Sequence, residues 1–323
     1  MIYLTEEHVQ NTLSVAEAVD LAERGIRADG RGEVAGDKFY MPVGDAGFIK
    51  PFSGYIRGEE YAYVKTFSFF PRNPEHHDLP TTSSLVLLFD ARTGFPVCVM
   101  EAGWATGLKT CASTTVTAAS LANPDADTLA IFGAGLQGRL HLEALATRFN
   151  LSQVWVLDIL PDSARRYAQE MGSKLDLPIE AVTLEDRAHA VRDADMVITV
   201  TTGDQPLVEL GWLKPGAFVA KLGSYQEVAL DVVTGADKVI VDRWKYLRPR
   251  APELIRLAEA GEFSEHDVHA EWPEIVGGRR PGREAADEII LFMALGIWGE
   301  YAAILPAIYR RAVEKGLGSQ LPE

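Results

Sequence analysis

The stretch IFGAGLQGRL, residues 131–140, decides how this chain is read. Gly133, Gly135 and Gly138 follow the spacing G-x-G-x-x-G. Glycines mark turns in many folds, so the flanks carry the weight. The apolar run TLAI (128–131) leads into them, and LQGRLHLEALATRF (136–149) follows with helical periodicity. The next apolar run, QVWVLD (153–158), ends on Asp158, about 20 residues beyond the last glycine, the spacing of a dinucleotide unit. In such a unit one glycine makes the tight turn, one admits a pyrophosphate, and one lets helix pack on strand. The helix N-terminus holds the phosphates through its free N–H groups. An acidic residue at Asp158 accepts hydrogen bonds from the adenosine ribose and repels a 2′-phosphate, which predicts NAD(H). Arg165 and Arg166, a turn or two further on, leave NADP(H) open.

Working outward, PDSARRYAQEMGSKL (161–175) reads as a second helix. ADMVITVTT (194–202), GAFVAKLG (216–223) and DKVIVDR (237–243) read as further strands. This alternation predicts an α/β fold with a doubly wound, parallel Rossmann-type sheet. APELIRLAEAGEF (251–263) and HAEWPEIVGG (269–278) read as helical, DEIILFMAL (287–295) as a last strand, and 296–316 as a closing helix containing Pro306. Upstream of the polar break NPDAD (123–127) the pattern differs. Ser14 and Glu17 form a capping box before an amphipathic helix. YAYVKTFSFFP (61–71) alternates, placing Tyr63, Lys65, Phe67 and Phe69 on one face. Residues 83–103 read as two strands joined at DARTG, and a helix is expected to start near Thr106. The domains expected are therefore an α+β part over 1–120 with 296–323, and a dinucleotide-binding part over 121–295.

Acidic residues number 46 against 31 basic ones, a formal charge of −15. That field disfavours nucleic acid and anionic membranes as partners and requires local positive charge for any anionic ligand. Two cysteines, Cys98 and Cys111, fall short of a disulfide framework and suggest a reducing cytoplasm. MIYLTEEHVQ lacks the pattern of a signal peptide, and the longest greasy run, IILFMALGIW, is too short to span a bilayer.

Two lysines need an explanation. Lys109, in TGLKTCAS, lies near the expected helix start, where the macrodipole disfavours a cation. Either a bound anion reverses the sign, or the helix boundary lies elsewhere and the lysine is solvated. Lys65 lies mid-strand between Tyr63 and Phe67 on its face. Either it belongs to an edge strand and reaches water, or it meets an anion. His76, His77 and Asp78, and His266, His269 and Glu271, lack metal-ligand spacing and read as solvated, so no metal is expected. Cys111 reads as a small buried residue, with a lowered-pKa thiol as the alternative. Trp104, Trp212 and Trp298 read as packing.

With these pieces placed, the chain resembles the ornithine cyclodeaminase/mu-crystallin family nearly end to end. The resemblance lies in FYMPV (39–43), VKTFSFFPRNP (64–74), the segment 85–122, the turn IFGAGLQG and the late segment 270–296. It implies a homodimer with a substrate and dimerisation domain beside a Rossmann domain, acting with a nicotinamide cofactor on a carbon–nitrogen bond of a small amino acid or imine. By motif position it implies Lys65, Lys109 and, more loosely, Lys38 as carboxylate-binding groups. It extends the cofactor contacts of the glycine turn to Leu136 and Gln137, and to Thr110, Thr201 and Gly223. Lys38 and Lys109 stand where the family has arginines, which keeps the charge but loses the bidentate fork. Tyr225 stands at the family's catalytic aspartate, so Tyr225 or Glu227 becomes the candidate proton relay, beside Lys65 as the catalytic lysine. Glu300 stands where the last helix usually has aspartate. The missing aspartate favours an amino acid dehydrogenase or imine reductase over a cyclodeaminase. A mu-crystallin-like ligand-binding protein is the non-catalytic alternative. Apolar faces including Phe67 and Phe69 also point to a homodimer.

Overall fold

The structure, a computed structural model, describes residues 1–203 and 205–322. It divides into two compact units, Met1–Ala112 with Trp298–Glu323, and Ser113–Ile297.

The first unit opens with β1 (Ile2–Leu4), α1 (Glu6–Gln10) and α2 (Val15–Gly30). Strands β2 (Val34–Lys38), β3 (Met41–Val43), β4 (Gly47–Ile56) and β5 (Tyr61–Phe69) follow. Then come α3 (Asn73–His77), β6 (Thr82–Asp90), β7 (Pro96–Glu101) and the start of α4 (Gly103–Leu121). The second unit contains β8 (Thr128–Phe132), α5 (Leu136–Leu145), β9 (Gln153–Leu157), α6 (Pro161–Leu175) and β10 (Ile179–Val182). It continues with α7 (Arg187–Asp193), β11 (Met196–Thr199), β12 (Phe218–Lys221), α8 (Leu230–Gly235) and β13 (Lys238–Val241). After α9 (Trp244–Leu247) and α10 (Pro252–Ala260) come β14 (Ala270–Glu271), α11 (Trp272–Val276) and β15 (Ile290–Met293). The chain then re-enters the first unit through α12 (Gly299–Glu314) and β16 (Ser319–Gln320).

In the second unit every strand pair is parallel, in the order β10-β9-β8-β11-β12-β15-β13-β14. The order reverses between β8 and β11, so the C-terminal ends of those two strands form the switch point where such sheets bind ligands. β8, β11, β12, β13 and β15 are almost wholly buried, as apolar strands covered on both faces should be.

The first unit carries a mixed sheet in the order β16-β1-β7-β6-β5-β4-β2, with β3 also on β4. β4 is not evident in the sequence, because Pro51 and glycines at 47 and 54 blur the composition of a strand. It alternates nonetheless, burying Lys50, Phe52, Gly54 and Ile56. Helix α12 packs on β4, β5 and α2. It meets α2 backbone to backbone: a Cβ on Gly25 would lie 2.3 Å from the Gly299 carbonyl oxygen. That contact fixes where the first turn of α12, with Glu300 and Tyr301, stands over the sheet.

Three expectations need correction. Helix α4 starts at Gly103, not near Thr106, which puts Lys109 in the second turn, beyond the reach of the macrodipole argument. Within HAEWPEIVGG only Trp272–Val276 is helical, after a two-residue strand. Phe67 and Phe69 are half-buried beside Phe48; the open apolar face is the reverse side of the sheet, where Val64, Leu85 and Leu87 are each more than a third exposed.

Candidate active site

Two of the three glycines, Gly133 and Gly138, are required by the packing of the turn itself. Gly133 has φ 113°, and a Cβ there would also meet the Val200 carbonyl oxygen at 2.7 Å. A Cβ on Gly138 would lie 2.0 Å from the Gly133 carbonyl oxygen, so α5 sits directly on the turn. Gly135 is the N-cap of α5, and a Cβ there would meet open space. The chain itself does not require glycine at 135; a ligand approaching the backbone would. No side chain caps α5, which leaves the N–H groups of its first turn, at Leu136 and Gln137, for an anion.

Asp158 is tied to this turn. Its Oδ2 accepts from the Ala134 N–H at 2.8 Å and its Oδ1 from the Leu160 N–H at 2.9 Å. Each oxygen keeps a further lone pair for a ribose hydroxyl. Arg165 is exposed and pairs with Asp162. Behind the turn lies a residue with no marking pattern in the sequence. His141 is buried, with Nδ1 2.7 Å from the Gln137 carbonyl and Nε2 3.1 Å from Thr114 Oγ1. Burial pulls its pKa down to about 4, so the ring is neutral, donating from Nδ1 and accepting at Nε2. These residues fit a dinucleotide.

At the C-terminal ends of β11 and β12 a second polar group is buried. Thr201 donates to Glu227 Oε1 from its N–H at 2.7 Å and its hydroxyl at 2.8 Å. Lys221 reaches the Gly223 carbonyl at 2.7 Å and pairs with Glu253 Oε2 at 3.2 Å. Burial raises the Glu227 carboxyl above its usual range, against the lowering effects of Thr201 and Lys221. Glu227 thus anchors the loop carrying Thr201, while Tyr225 in the following loop is half-buried.

The first unit holds the lysines. Lys65 is 1 % exposed and lies on an inner strand, which removes the edge-strand reading. Its Nζ bonds Ser84 Oγ at 3.0 Å. Phe52 pairs across the sheet with Lys65 on one side and Lys38 on the other, and Lys50 precedes it by two residues. Lys38, Lys50, Phe52, Lys65 and Phe67 therefore share one face. Lys109 from α4 and Tyr301 from α12 join them: Lys65 and Lys109 lie 5.1 and 5.4 Å from the centre of the Tyr301 ring. Lys109 pairs with Glu300 at 3.2 Å, both buried. Lys50, absent from the sequence-based candidates, has its ammonium 4.9 Å from the Phe52 ring centre. The signal was available in its two-residue offset from Phe52, once β4 was recognised as a strand. Burial, and then the neighbouring Lys109, pull Lys65 from its usual 10.5 to about 7.

Each exposed cation–π contact contributes about 1 kcal/mol, against several for desolvating an ammonium. Burying these ammonium groups is therefore costly.

Other candidates stay outside these groups. Thr110 donates to the Thr106 carbonyl within α4. Cys111 is buried, with its thiol 3.2 Å from the Leu108 carbonyl. His76, His77 and Asp78 are exposed on and just after α3, and His269 faces the Pro281 carbonyl. Among the described residues no group of three or more His, Cys, Asp or Glu side chains is placed to hold a metal, and no helix is long and apolar enough to cross a membrane.

A Rossmann-type unit with a dinucleotide turn, interrupting a mixed-sheet unit with a buried cationic face, defines a class of nicotinamide-dependent enzymes. The chain belongs to the ornithine cyclodeaminase/mu-crystallin family, whose model matches residues 1–316. It is similar to N-((2S)-2-amino-2-carboxyethyl)-L-glutamate dehydrogenase of Staphylococcus aureus, 32% identical over 77% of this chain and 74% of that protein. Among solved structures, Thermococcus litoralis Δ1-pyrroline-2-carboxylate reductase in complex with NADH and L-proline superposes with a TM-score of 0.93 at 30% identity. It covers 99% of this chain and 100% of that one. An archaeal alanine dehydrogenase dimer with bound NAD superposes with a TM-score of 0.92 at 26% identity, covering 100% and 99%.

Proposed function

We propose that the protein is an NAD(H)-dependent oxidoreductase acting on the carbon–nitrogen bond of a small amino acid or imine. The observation that carries the cofactor is Gly135, open to its surroundings at an uncapped helix N-terminus beside Asp158. The choice of a carbon–nitrogen bond rests on the relatives, a dehydrogenase of an amino acid and a reductase of a cyclic imine. NAD held at the glycine turn and Asp158 would supply the hydride acceptor for oxidation of an amine to an imine, the nitrogen proton going to solvent, and NADH would supply the hydride for the reverse.

In this reading Leu136 and Gln137 hold phosphate through backbone N–H groups, and Asp158 holds the ribose. Thr201 and Gly223, fixed by Glu227 and Lys221, shape the loops at the switch point. Lys65 and Lys109 hold the substrate carboxylate and orient its carbon. Lys65, with its pKa near neutrality, is able to lose a proton when the site is empty and to regain it as an anion arrives. Tyr225 and Glu227 are the two relay candidates; Thr201 donates twice to Glu227 Oε1, which leaves Oε2 as the oxygen that would carry a proton. Two free buried cysteines fit a reducing compartment such as the cytoplasm. The exposed face of Val64, Leu85 and Leu87 fits a homodimer, the assembly of the archaeal alanine dehydrogenase.

The test is incubation with amino acids, and with keto acids plus ammonia or methylamine, following NADH and ammonia together. NADH change coupled to amine or imine is expected. Ammonia release from ornithine with a cyclic product and no net NADH change would instead establish a cyclodeaminase. Cofactor and ligand binding without turnover would establish a binding protein.

A further inference from the structure

Glu227, Glu253 and Lys221 are each 0 % exposed, and all belong to the second unit. Lys221 ends β12, Glu253 lies in α10, and Glu227 lies in the loop before α8. Two carboxyls therefore share one ammonium where water does not reach. Lys221 Nζ lies 3.2 Å from Glu253 Oε2, and Glu253 Oε1 accepts from the Glu227 N–H at 3.1 Å. No further ion pair to these three residues is found among the described residues. Lys221 thus balances Glu253, and an ionised Glu227 would add an uncompensated buried charge. Both Thr201 bonds go to Glu227 Oε1; Oε2 receives neither and is withdrawn from solvent. Oε2 is pressed against Gly223, where a Cβ would lie 2.8 Å from it. Gly223 has no left-handed backbone, so its missing side chain serves to make room for the carboxyl. Thr199, at the end of β11, turns its hydroxyl toward the same carboxyl, and that hydroxyl has no other partner. Tyr225 is the remaining titratable side chain of the loop.

We propose that Glu227 carries a proton on Oε2 and, in that neutral form, is the positioning residue of the cofactor loops, with Lys221 and Glu253 fixing its charge state. The proton lets Oε2 donate to Thr199 while Oε1 keeps both Thr201 bonds, so one neutral group holds the loops of Thr201 and Gly223. Loss of the proton leaves a net negative charge in a dry site, which draws the carboxyl toward water and releases both loops. In this role the proton is held, not transferred. The inference rests on the dinucleotide reading for what the loops hold, but not for where the proton sits.

Proton and cofactor are read separately. Infrared difference spectra of the ligand-free protein should show at neutral pH a carboxylic-acid carbonyl band that Glu227→Gln removes. NADH affinity, titrated by fluorescence without substrate, should fall by up to about tenfold per pH unit once Glu227 ionises. Glu227→Gln keeps a carbonyl for Thr201 and puts an N–H donor at the second position, so its NADH affinity should not fall with pH. The charge count makes two opposite forecasts for the midpoint of that fall. Glu253→Gln leaves Lys221 to balance Glu227 and should lower the midpoint by about one pH unit or more. Lys221→Met removes the cation and should raise it; the midpoint is the readout because Lys221 also donates to the Gly223 carbonyl. A merely structural role moves neither. Should Lys221→Met not fold, the two isosteric glutamine variants decide. No carboxylic-acid band, a fall that persists in Glu227→Gln, or an unmoved midpoint in Glu253→Gln overturns the proposal. The band, shifted as forecast in the variants, with no NADH binding at any pH supports the proton assignment and removes the dinucleotide reading.

Discussion

Lys109 Nζ and Glu300 Oε1 stand 3.2 Å apart, both withdrawn from solvent, joining a helix of the early chain to the last helix. Breaking a buried pair by removing one partner costs about 3–5 kcal/mol, because the other charge is left uncompensated. Glu300→Gln should therefore destabilise the protein by about that amount in urea titration. It should also tighten binding of a carboxylate ligand, which takes over the compensation. A double-mutant cycle with Lys109→Met measures the coupling, and weaker ligand binding in Glu300→Gln would contradict this account.

Lys65 gives the pH dependence. Its folded-state pKa is about 7 against an ordinary 10.5, so between those values the unfolded chain binds a proton that the native protein does not. The stability of the ligand-free protein should rise with pH across that window, the contribution being lost as pH falls through about 7. Anion binding has the opposite sense, because it favours the ammonium. Affinity should fall by up to about tenfold per pH unit above neutrality, with a proton taken up on binding. Calorimetry in buffers of different ionisation heat counts that proton, and Lys65→Met should remove both trends.

Asp158→Asn drops the charge and keeps an acceptor for only one of the Ala134 and Leu160 N–H groups, which now donate to different oxygens. NADPH binding should improve by about tenfold or more relative to NADH, since the repulsion of a 2′-phosphate is gone. Fluorescence titration of both nucleotides checks it. Tighter NADPH than NADH binding in the unaltered protein would reverse the cofactor assignment.

The two glycines should separate stability from binding. Gly138→Ala drives a Cβ to 2.0 Å from a backbone oxygen and should cost about 3 kcal/mol or more. Gly135→Ala meets nothing in the chain and should leave the melting temperature almost unchanged, while weakening NADH by about tenfold. Equal NADH affinity in Gly135→Ala would mean that the turn does not approach a dinucleotide.

The reverse face of the first sheet predicts assembly. Leu85→Glu with Leu87→Glu places two charges where Val64 and both leucines now stand open. Light scattering should report a dimer for the unaltered chain and a monomer for the pair of substitutions. A monomer in both cases at micromolar concentration would refute the assignment.

The dinucleotide turn was legible because its chemistry is local: three glycines, a flanking strand and an acidic residue at fixed spacing. Lys65 was legible as an anomaly of alternation. The remainder of the cationic face was harder to read, because it is assembled across strands that sequence spacing does not connect. Lys50 lay in a strand disguised by Pro51, and Lys109 drew notice through a helix start placed several residues too late. Its true partner, Glu300, is remote in sequence. Glu227 was picked as a proton relay, and its tie to Thr201 depends on loop packing that no local pattern encodes.

The Gly25–Gly299 crossing also orders events on the ribosome. The second unit is one uninterrupted length of chain, so it can complete its sheet as it emerges. The first unit is sequence-discontinuous, and its lysine-bearing strands exist long before Glu300 and Tyr301 are synthesised. A chain ending at residue 297 would contain every strand of the second sheet but would lack the carboxylate of Glu300 and the ring of Tyr301. Closure of that face therefore waits for the segment that begins at Trp298, whichever order the strands before it pair in.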